Sequence, residues 1–391
     1  MRISTLVSSS LVLAALAISP SEARACGGFF CNGGGAGPTP VVQAAERVIF
    51  EERSDGTVRA YVQIQYSQQG GVPIGFSWLI PTMSAPELGV AEAATFDELD
   101  GATAPQFRFV NPTFGTSSGG GAGCGGSGGD ALAGAPDRAS SETIEGVTVW
   151  ETSRVGDYQT AILSGDTSEA ILTWLQAHGY DIPDEAGAAI DFYVYSGHVF
   201  SAFRYDPLEP GDGSLPPIVI TYAGSKPCVP LRITAIASTP ILDVMVLAFG
   251  SERAKPVGDW VETVPDYSAI QQDFTAAGQT TYADEVRTAI VDAGGNAFVV
   301  EHAGASSALQ GLSDPEALAI ASRSPYVTRF YTRLPPEEMT VDPEFEFTAG
   351  TSDVARLHVI DLSPPSGAFA PFGLLSASLL LGLRRRRRRP R

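Results

Sequence analysis

A chain of 391 residues, 44% of them hydrophobic, can bury a substantial core, and its 25 basic against 44 acidic side chains leave it at −19. Setting aside Arg2, Arg24 and Glu22 near the amino end and the seven arginines after Leu383 leaves 16 basic against 43 acidic residues. A body at −27, with Lys226 and Lys255 as its only lysines, makes nucleic acid and anionic lipid faces poor partners. Divalent cations, cationic polymers or plain solubility suit it better.

The amino end reads as a signal peptide over residues 1–25. Arg2 is a minimal positive start, residues 6–18 form an apolar stretch, and Pro20 breaks it. Ala23 and Ala25 then supply the small residues that signal peptidase accepts, which makes Cys26 the first mature residue. The competing lipoprotein reading, with an acyl anchor on Cys26, wants a Leu-like residue where Ala23 stands. With no twin arginine, the expected route is export unfolded, with the body over residues 26–345 folding on the far side. In an oxidising compartment Cys26, Cys31, Cys124 and Cys228 are disulfide candidates, with three connectivities open. A zinc site would want a C-x2-C pair or a nearby His pair, and neither is present.

Residues 42–52, a Ser54-Asp55-Gly56 turn and residues 57–66 predict a hairpin. In its second strand Val58, Ala60, Val62, Ile64 and Tyr66 alternate with more polar positions, so one face is expected to be buried. Strands are predicted at 75–83 and 107–110, with a helix over 91–99 between them. From 115 to 135 the composition collapses into Gly, Ser and Ala, which can build no core and reads as a loop insertion.

Strands follow at 143–151 and 158–163, then a helix from a capping-box-like Asp166 and Glu169 through Ala177, stopped at Gly179. Ile171, Trp174, Leu175 and His178 would share its buried stripe. Residues 192–195 and 199–205 read as strands turning over Ser196-Gly197-His198, and further apolar strands are expected at 218–222, 231–237 and 242–249. A helix over 282–291 leads into a strand at 297–301. Ser313-Asp314-Pro315-Glu316 caps a helix to Ala321, and 327–333 is a strand. Strands outnumber helices without regular alternation, which predicts an α+β fold of strand-rich mixed or antiparallel sheets with a few short helices.

Several strings in this body resemble one exported bacterial family. They are Ala25-Cys26-Gly27-Gly28-Phe29-Phe30-Cys31, Gln43-Ala44-Ala45-Glu46-Arg47 and Val62-Gln63-Ile64-Gln65-Tyr66. Two more are Lys226-Pro227-Cys228-Val229-Pro230-Leu231-Arg232-Ile233-Thr234 and Thr332-Arg333-Leu334-Pro335, the latter running on to Thr340-Val341-Asp342-Pro343. Together they resemble domain of unknown function 2330 over Cys26 to Phe345. The resemblance implies export and an envelope or extracellular setting, and it carries no catalytic residue with it.

Motifs with chemistry are few. Gly121-Ala122-Gly123-Cys124-Gly125-Gly126 spells a dinucleotide fingerprint but lacks the flanking strand and helix. Glu301-His302 is the leading candidate for acid–base work, with a structural histidine the commoner explanation. Asp206, Glu209 and Asp212 share one loop without the spacing of a calcium loop. Trp78, Trp150, Trp174 and Trp260 read as core. No cofactor, metal ligand or catalytic residue is assigned.

Residues 346–366 read as a linker, 367–383 as a hydrophobic span and 384–391 as an arginine-rich tail. Basic residues hold to the cytoplasmic side of a span, so this order leaves the body outside. Seventeen residues at about 1.5 Å each reach roughly 25 Å, short of a typical ~30 Å hydrocarbon core. A retained anchor and a sorting signal cut near Ser363-Pro364-Pro365 both remain open, and the pattern resembles C-terminal sorting tails of Gram-negative exported proteins. The expected locations are periplasm, outer membrane or cell surface. The expected partners are an envelope or extracellular molecule and, through the span, the membrane or a processing protease. Two function classes follow: a non-enzymatic binding or structural module, favoured, and an extracellular hydrolase needing no organic cofactor.

Overall fold

The computed structural model describes residues 28–30, 43–66, 76–110, 142–180, 182, 184–208, 215–224, 226–273 and 279–362. The signal peptide, the Gly-rich insertion, Cys26, Cys31 and Cys124, the apolar run at 367–383 and the arginine tail fall outside them. In chain order the first elements are β1 (Gly28–Phe30), β2 (Gln43–Glu52), β3 (Thr57–Tyr66), β4 (Ser77–Thr82), β5 (Glu87–Val90), α1 (Ala93–Thr103) and β6 (Gln106–Val110). Then come β7 (Glu142–Ile144), β8 (Val147–Val155), β9 (Tyr158–Gly165), α2 (Ser168–Ala177), α3 (Gly187–Tyr195), β10 (Val199–Tyr205), β11 (Ile218–Ala223) and α4 (Leu231–Thr234). The last third holds β12 (Ser238–Gly250), β13 (Ala254–Val257), β14 (Val261–Thr263), β15 (Gln272–Asp273), β16 (Gln279–Thr280), α5 (Tyr282–Asp292), β17 (Ala297–Ala305), α6 (Pro315–Arg323), β18 (Tyr326–Leu334), β19 (Glu344–Phe347) and β20 (Leu357–Asp361). This is the α+β class expected from the sequence.

Two sheets dominate. One is ordered β1-β4-β10-β9-β8-β7, the other β14-β17-β18-β12-β2-β3-β11-β5. The second is mixed, because β2 and β12, and β14 and β17, run parallel while its other pairs are antiparallel. Four layers result. Trp78 and Ile80 of β4 and Phe203 and Tyr205 of β10 meet Val48, Phe50, Val62 and Val246 between the sheets. On the far side of the six-stranded sheet, Leu79, Leu163 and Phe200 pack on Ile171, Leu175 and Ile190 of α2 and α3. On the far side of the eight-stranded sheet, Ile49, Tyr61 and Phe249 pack on Phe96 and Leu99 of α1 and on Ile320 of α6. Residues on both faces of β12 are therefore apolar, as a strand covered on both sides requires.

The covering helices explain one departure from expectation. In β3, Tyr61 and Gln63 are buried along with Val58, Ala60, Val62 and Ile64, because α1 and α6 cover the face that alternation alone would leave to solvent. Two predicted strands are helical. Residues 192–195 end α3, where Ile190 and Tyr193 point together into the core beneath α2. Residues 231–237 form α4 and a following 3-10 turn, although Leu231, Ile233 and Ala235 alternate like a strand. The segment predicted as one strand at 143–151 is a hairpin, turning at Glu145 and Gly146 with φ of 50° and 82°, the left-handed conformation such a tight reversal needs.

His178 does not join the buried stripe of α2; it is exposed at the helix end, stacked on Trp174 at 3.9 Å. Trp78, Trp174 and Trp260 are core, whereas Trp150 is exposed on β8. Past Phe345 the chain still makes ordered structure, since β20 pairs in parallel with β6. Among the described residues no helix is long and apolar enough to cross a membrane.

Candidate functional site

The family-like strings of the sequence converge in space on one segment, residues 226–234. Proline flanks Cys228 at 227 and again at 230, which removes backbone donors and keeps the stretch extended up to α4. It is tied to the strand that follows Pro343: Phe345 N–H donates to Pro227 O at 2.8 Å and Val229 N–H to Pro343 O at 3.1 Å. Cys228 itself is buried. The single turn of α4 is then met by two acids, one on each side.

Glu46 is the first. It lies on the same face of β2 as Val48 and Phe50, so the strand's alternation drives a carboxyl into the space between the sheets. Its Oε2 accepts from Gln43 Nε2 at 3.2 Å and from the Thr234 hydroxyl of α4 at 3.5 Å. The neighbouring cation, Arg47, points to the opposite face and bonds Gln63 Oε1, Asp97 and Asp100 there. Burial pushes Glu46 up to about 7, and the two hydrogen bonds offset only part of that. The acid faces a narrow seam lined by Trp78, Ile80, Cys228, Val229 and Pro230, with a volume of about 20 Å³, room for a single water.

Asp342 is the second. Its oxygens accept from the Tyr193 hydroxyl at 2.8 Å and from the Arg232 backbone N–H of α4 at 2.9 Å. The residue is half-buried overall, but its carboxyl is covered by α3 and α4. Burial raises it to about 6 against the pull of those bonds and of the Arg232 charge. Arg232 in turn lies over the Phe192 ring at 4.2 Å. One short helix is thus held by carboxyls reaching from β2 and from the segment before β19.

On the outer face of the eight-stranded sheet, acids meet cations instead. Arg329 of β18 donates through Nε to Glu301 in a short bond and through Nη1 to Asp100 of α1 at 2.6 Å. The Tyr282 hydroxyl of α5 donates to the other Glu301 oxygen at 2.7 Å. This chain of bonds joins α1, α5 and the sheet. Burial and the adjacent Glu301 charge hold the Tyr282 hydroxyl far above its ordinary value. Glu301 and His302 do not share a site: the register slips between Val300 and His302, Glu301 turns inward, and His302 bonds the Val354 carbonyl at 3.0 Å. Burial lowers the His302 pKa. Among the described residues His302 bonds no serine or cysteine.

The remaining histidines and acids disperse. His198 packs on Tyr193 at 5.2 Å and His358 stacks on Tyr267 at 3.8 Å. Asp206 is engaged by Arg154 at 2.9 Å and Gln159 at 2.7 Å, while Glu209, Asp212 and the Gly121-to-Gly126 motif lie outside the described residues. Among the described residues no group of three or more His, Cys, Asp or Glu could hold a metal ion. Sequence reading missed Glu46 and Asp342. For Glu46 the signal was present, an acid in register with Val48 and Phe50; for Asp342 nothing local gave it away.

The fold and this site define a layered α+β protein whose buried acids fasten one short helix between two sheets. Residues 20–348 match the family described as an uncharacterized protein conserved in bacteria (DUF2330), and the chain belongs to that family. No curated protein matches it. Among solved structures, a mutated baculovirus P35 after caspase cleavage aligns over 81% of this chain and 98% of its own at 8% identity, with a TM-score of 0.29. Baculovirus P35 aligns over 61% and 84% at 9% identity and a TM-score of 0.27. At such scores no shared fold follows.

Proposed function

We propose that this chain is an exported bacterial envelope protein whose body binds a partner or contributes structure rather than turning over a substrate. The feature that supports the reading is Cys228, buried in the core and one of the four disulfide candidates of the sequence. Disulfides persist in oxidising compartments and are rare in the cytosol. β1 lies between Cys26 and Cys31 in sequence and packs against α4 and the 3-10 turn after it, beside Cys228. That favours Cys26 or Cys31 as the partner, which would fasten the first mature residues to the same segment that Glu46 and Asp342 hold.

The non-enzymatic half of the reading rests on where the acids are used. Glu46, Asp342 and Glu301 each accept hydrogen bonds that join structural layers. Mass spectrometry of protein taken from the producing cell's envelope, digested without reduction, tests the first half. A mature start at Cys26 and a peptide joining Cys228 to Cys26 or Cys31 are expected. An intact Met1 with reduced Cys228 would sink it. A fluorophosphonate probe tests the second half: stoichiometric labelling of one serine would make the chain a hydrolase.

A further inference from the structure

We propose that the β6–β20 ribbon is the surface on which the body rests against the membrane. The inference rests on the reading that residues 367–383 enter a bilayer, and it adds which part of the body then meets the lipid.

The ribbon has two unlike faces. Phe107, Phe109 and Ile360 turn inward and pack on the main core, with His358 beside them on Tyr267. The parallel register puts Val359 beside Arg108 and Leu357 beside Gln106 on the other face. There Leu357 and Val359 are 48% and 53% exposed, and Leu362, just past the strand and bonded through its N–H to Val110 O, is 50% exposed. Apolar side chains flanking an exposed arginine suit the headgroup boundary, where Leu and Val enter the acyl edge and Arg meets phosphate. Asp361, at the end of the same face, is the one acid in the row. In a body with 16 basic and 43 acidic residues, this composition stands apart.

Chain length points the same way. From Leu362 to Gly367 is five residues, which even fully extended span about 17 Å. Wherever the apolar run enters a bilayer, Leu362 lies within that distance of the entry point, and Val359 lies three residues, about 10 Å, further back along the strand. The apolar run is itself short for a typical core, so an apolar, strand-borne contact just ahead of it extends the grip on the interface. The ligand class is a zwitterionic phospholipid surface, since a body at −27 is repelled by an anionic one.

The test uses full-length protein in phosphatidylcholine vesicles carrying lipids brominated near the headgroup. Val359→Trp reports the ribbon, and Val264→Trp, at a valine 74% exposed just beyond β14, is the control. The expected result is co-flotation of both variants, with quenching clearly greater at 359 than at 264, as burial of position 359 in the interface requires. Co-flotation with equal or absent quenching overturns the ribbon contact while leaving the membrane reading intact. Failure to float overturns both. Cross-linking between copies through position 359, without quenching, assigns the face to a second copy of the chain and overturns the proposal.

Discussion

The two faces of the eight-stranded sheet bury carboxyl groups in opposite ways. On the outer face Glu301 and Asp100 share the Arg329 guanidinium, with Tyr282 completing the Glu301 shell. On the inner face Glu46 has an amide and a hydroxyl and, among the described residues, no cation beside it, so burial raises its pKa instead. The difference shows how one fold offsets the cost of desolvating an acid by two routes: a cation placed beside the carboxyl, or a bound proton that removes the charge.

Removing the partner charge should do the greatest damage. Arg329→Met leaves Glu301 buried without its cation and is expected to cost about 3–5 kcal/mol in chemical denaturation. Adding Glu301→Leu to it should recover much of that loss. If the single substitution unfolds nothing, the outer network is ornamental and the contrast fails.

The inner face breaks with pH rather than with a cation. The folded pKa of Glu46 is raised to about 7 from an ordinary 4.5, so the folded state binds more protons in that interval. The stability that Glu46 contributes is therefore full below about pH 4 and is lost as pH rises towards 7, on the order of 3 kcal/mol. Asp342, raised to about 6 from 3.8, adds a loss of the same sign over a lower range. Glu46→Gln should flatten most of the slope between pH 5 and 8 in thermal or urea melts, and adding Asp342→Asn should flatten the remainder. A wild-type protein that gains stability over that interval contradicts the account.

Smaller effects sharpen the same comparison. A Cβ on Gly250, at the end of β12, would fall 2.3 Å from the Phe347 ring of the β13–β19 ribbon, so Gly250→Ala should cost about 1–3 kcal/mol at any pH. Asp314 caps α6 by accepting from Ala317 N–H at 2.8 Å and from the Thr95 hydroxyl of α1 at 2.9 Å. Asp314→Ala should cost about 1 kcal/mol, again without the pH slope that marks the inner face.

Much of this architecture was legible in the residues. The β2–β3 hairpin, α5, α6 with its Asp314 cap, and the strands at β10, β12 and β18 follow from period and turn chemistry. Where expectation failed, tertiary contact overrode a local pattern. Leu231, Ile233 and Ala235 alternate, yet Pro230 and the two flanking acids fold that stretch into a single turn. Phe192 to Tyr195 is rich in residues that favour strands, but Ile190 and Tyr193 bury together only on a helix. The site was half legible. Glu46 sits in phase with the apolar face of its strand, a conflict that marks a buried acid. Asp342 lies more than a hundred residues from Arg232 and Tyr193, and no local period could have brought them together.

The most direct measurement is a titration of the Glu46 side-chain carboxyl, followed by carbon NMR with Glu46→Gln assigning the signal. The account predicts a midpoint near 7, with the carboxyl protonated throughout mildly acidic conditions. A midpoint near 4.5, the ordinary value, would mean that the seam is wet or a cation is present, and the contrast between the two faces would be lost.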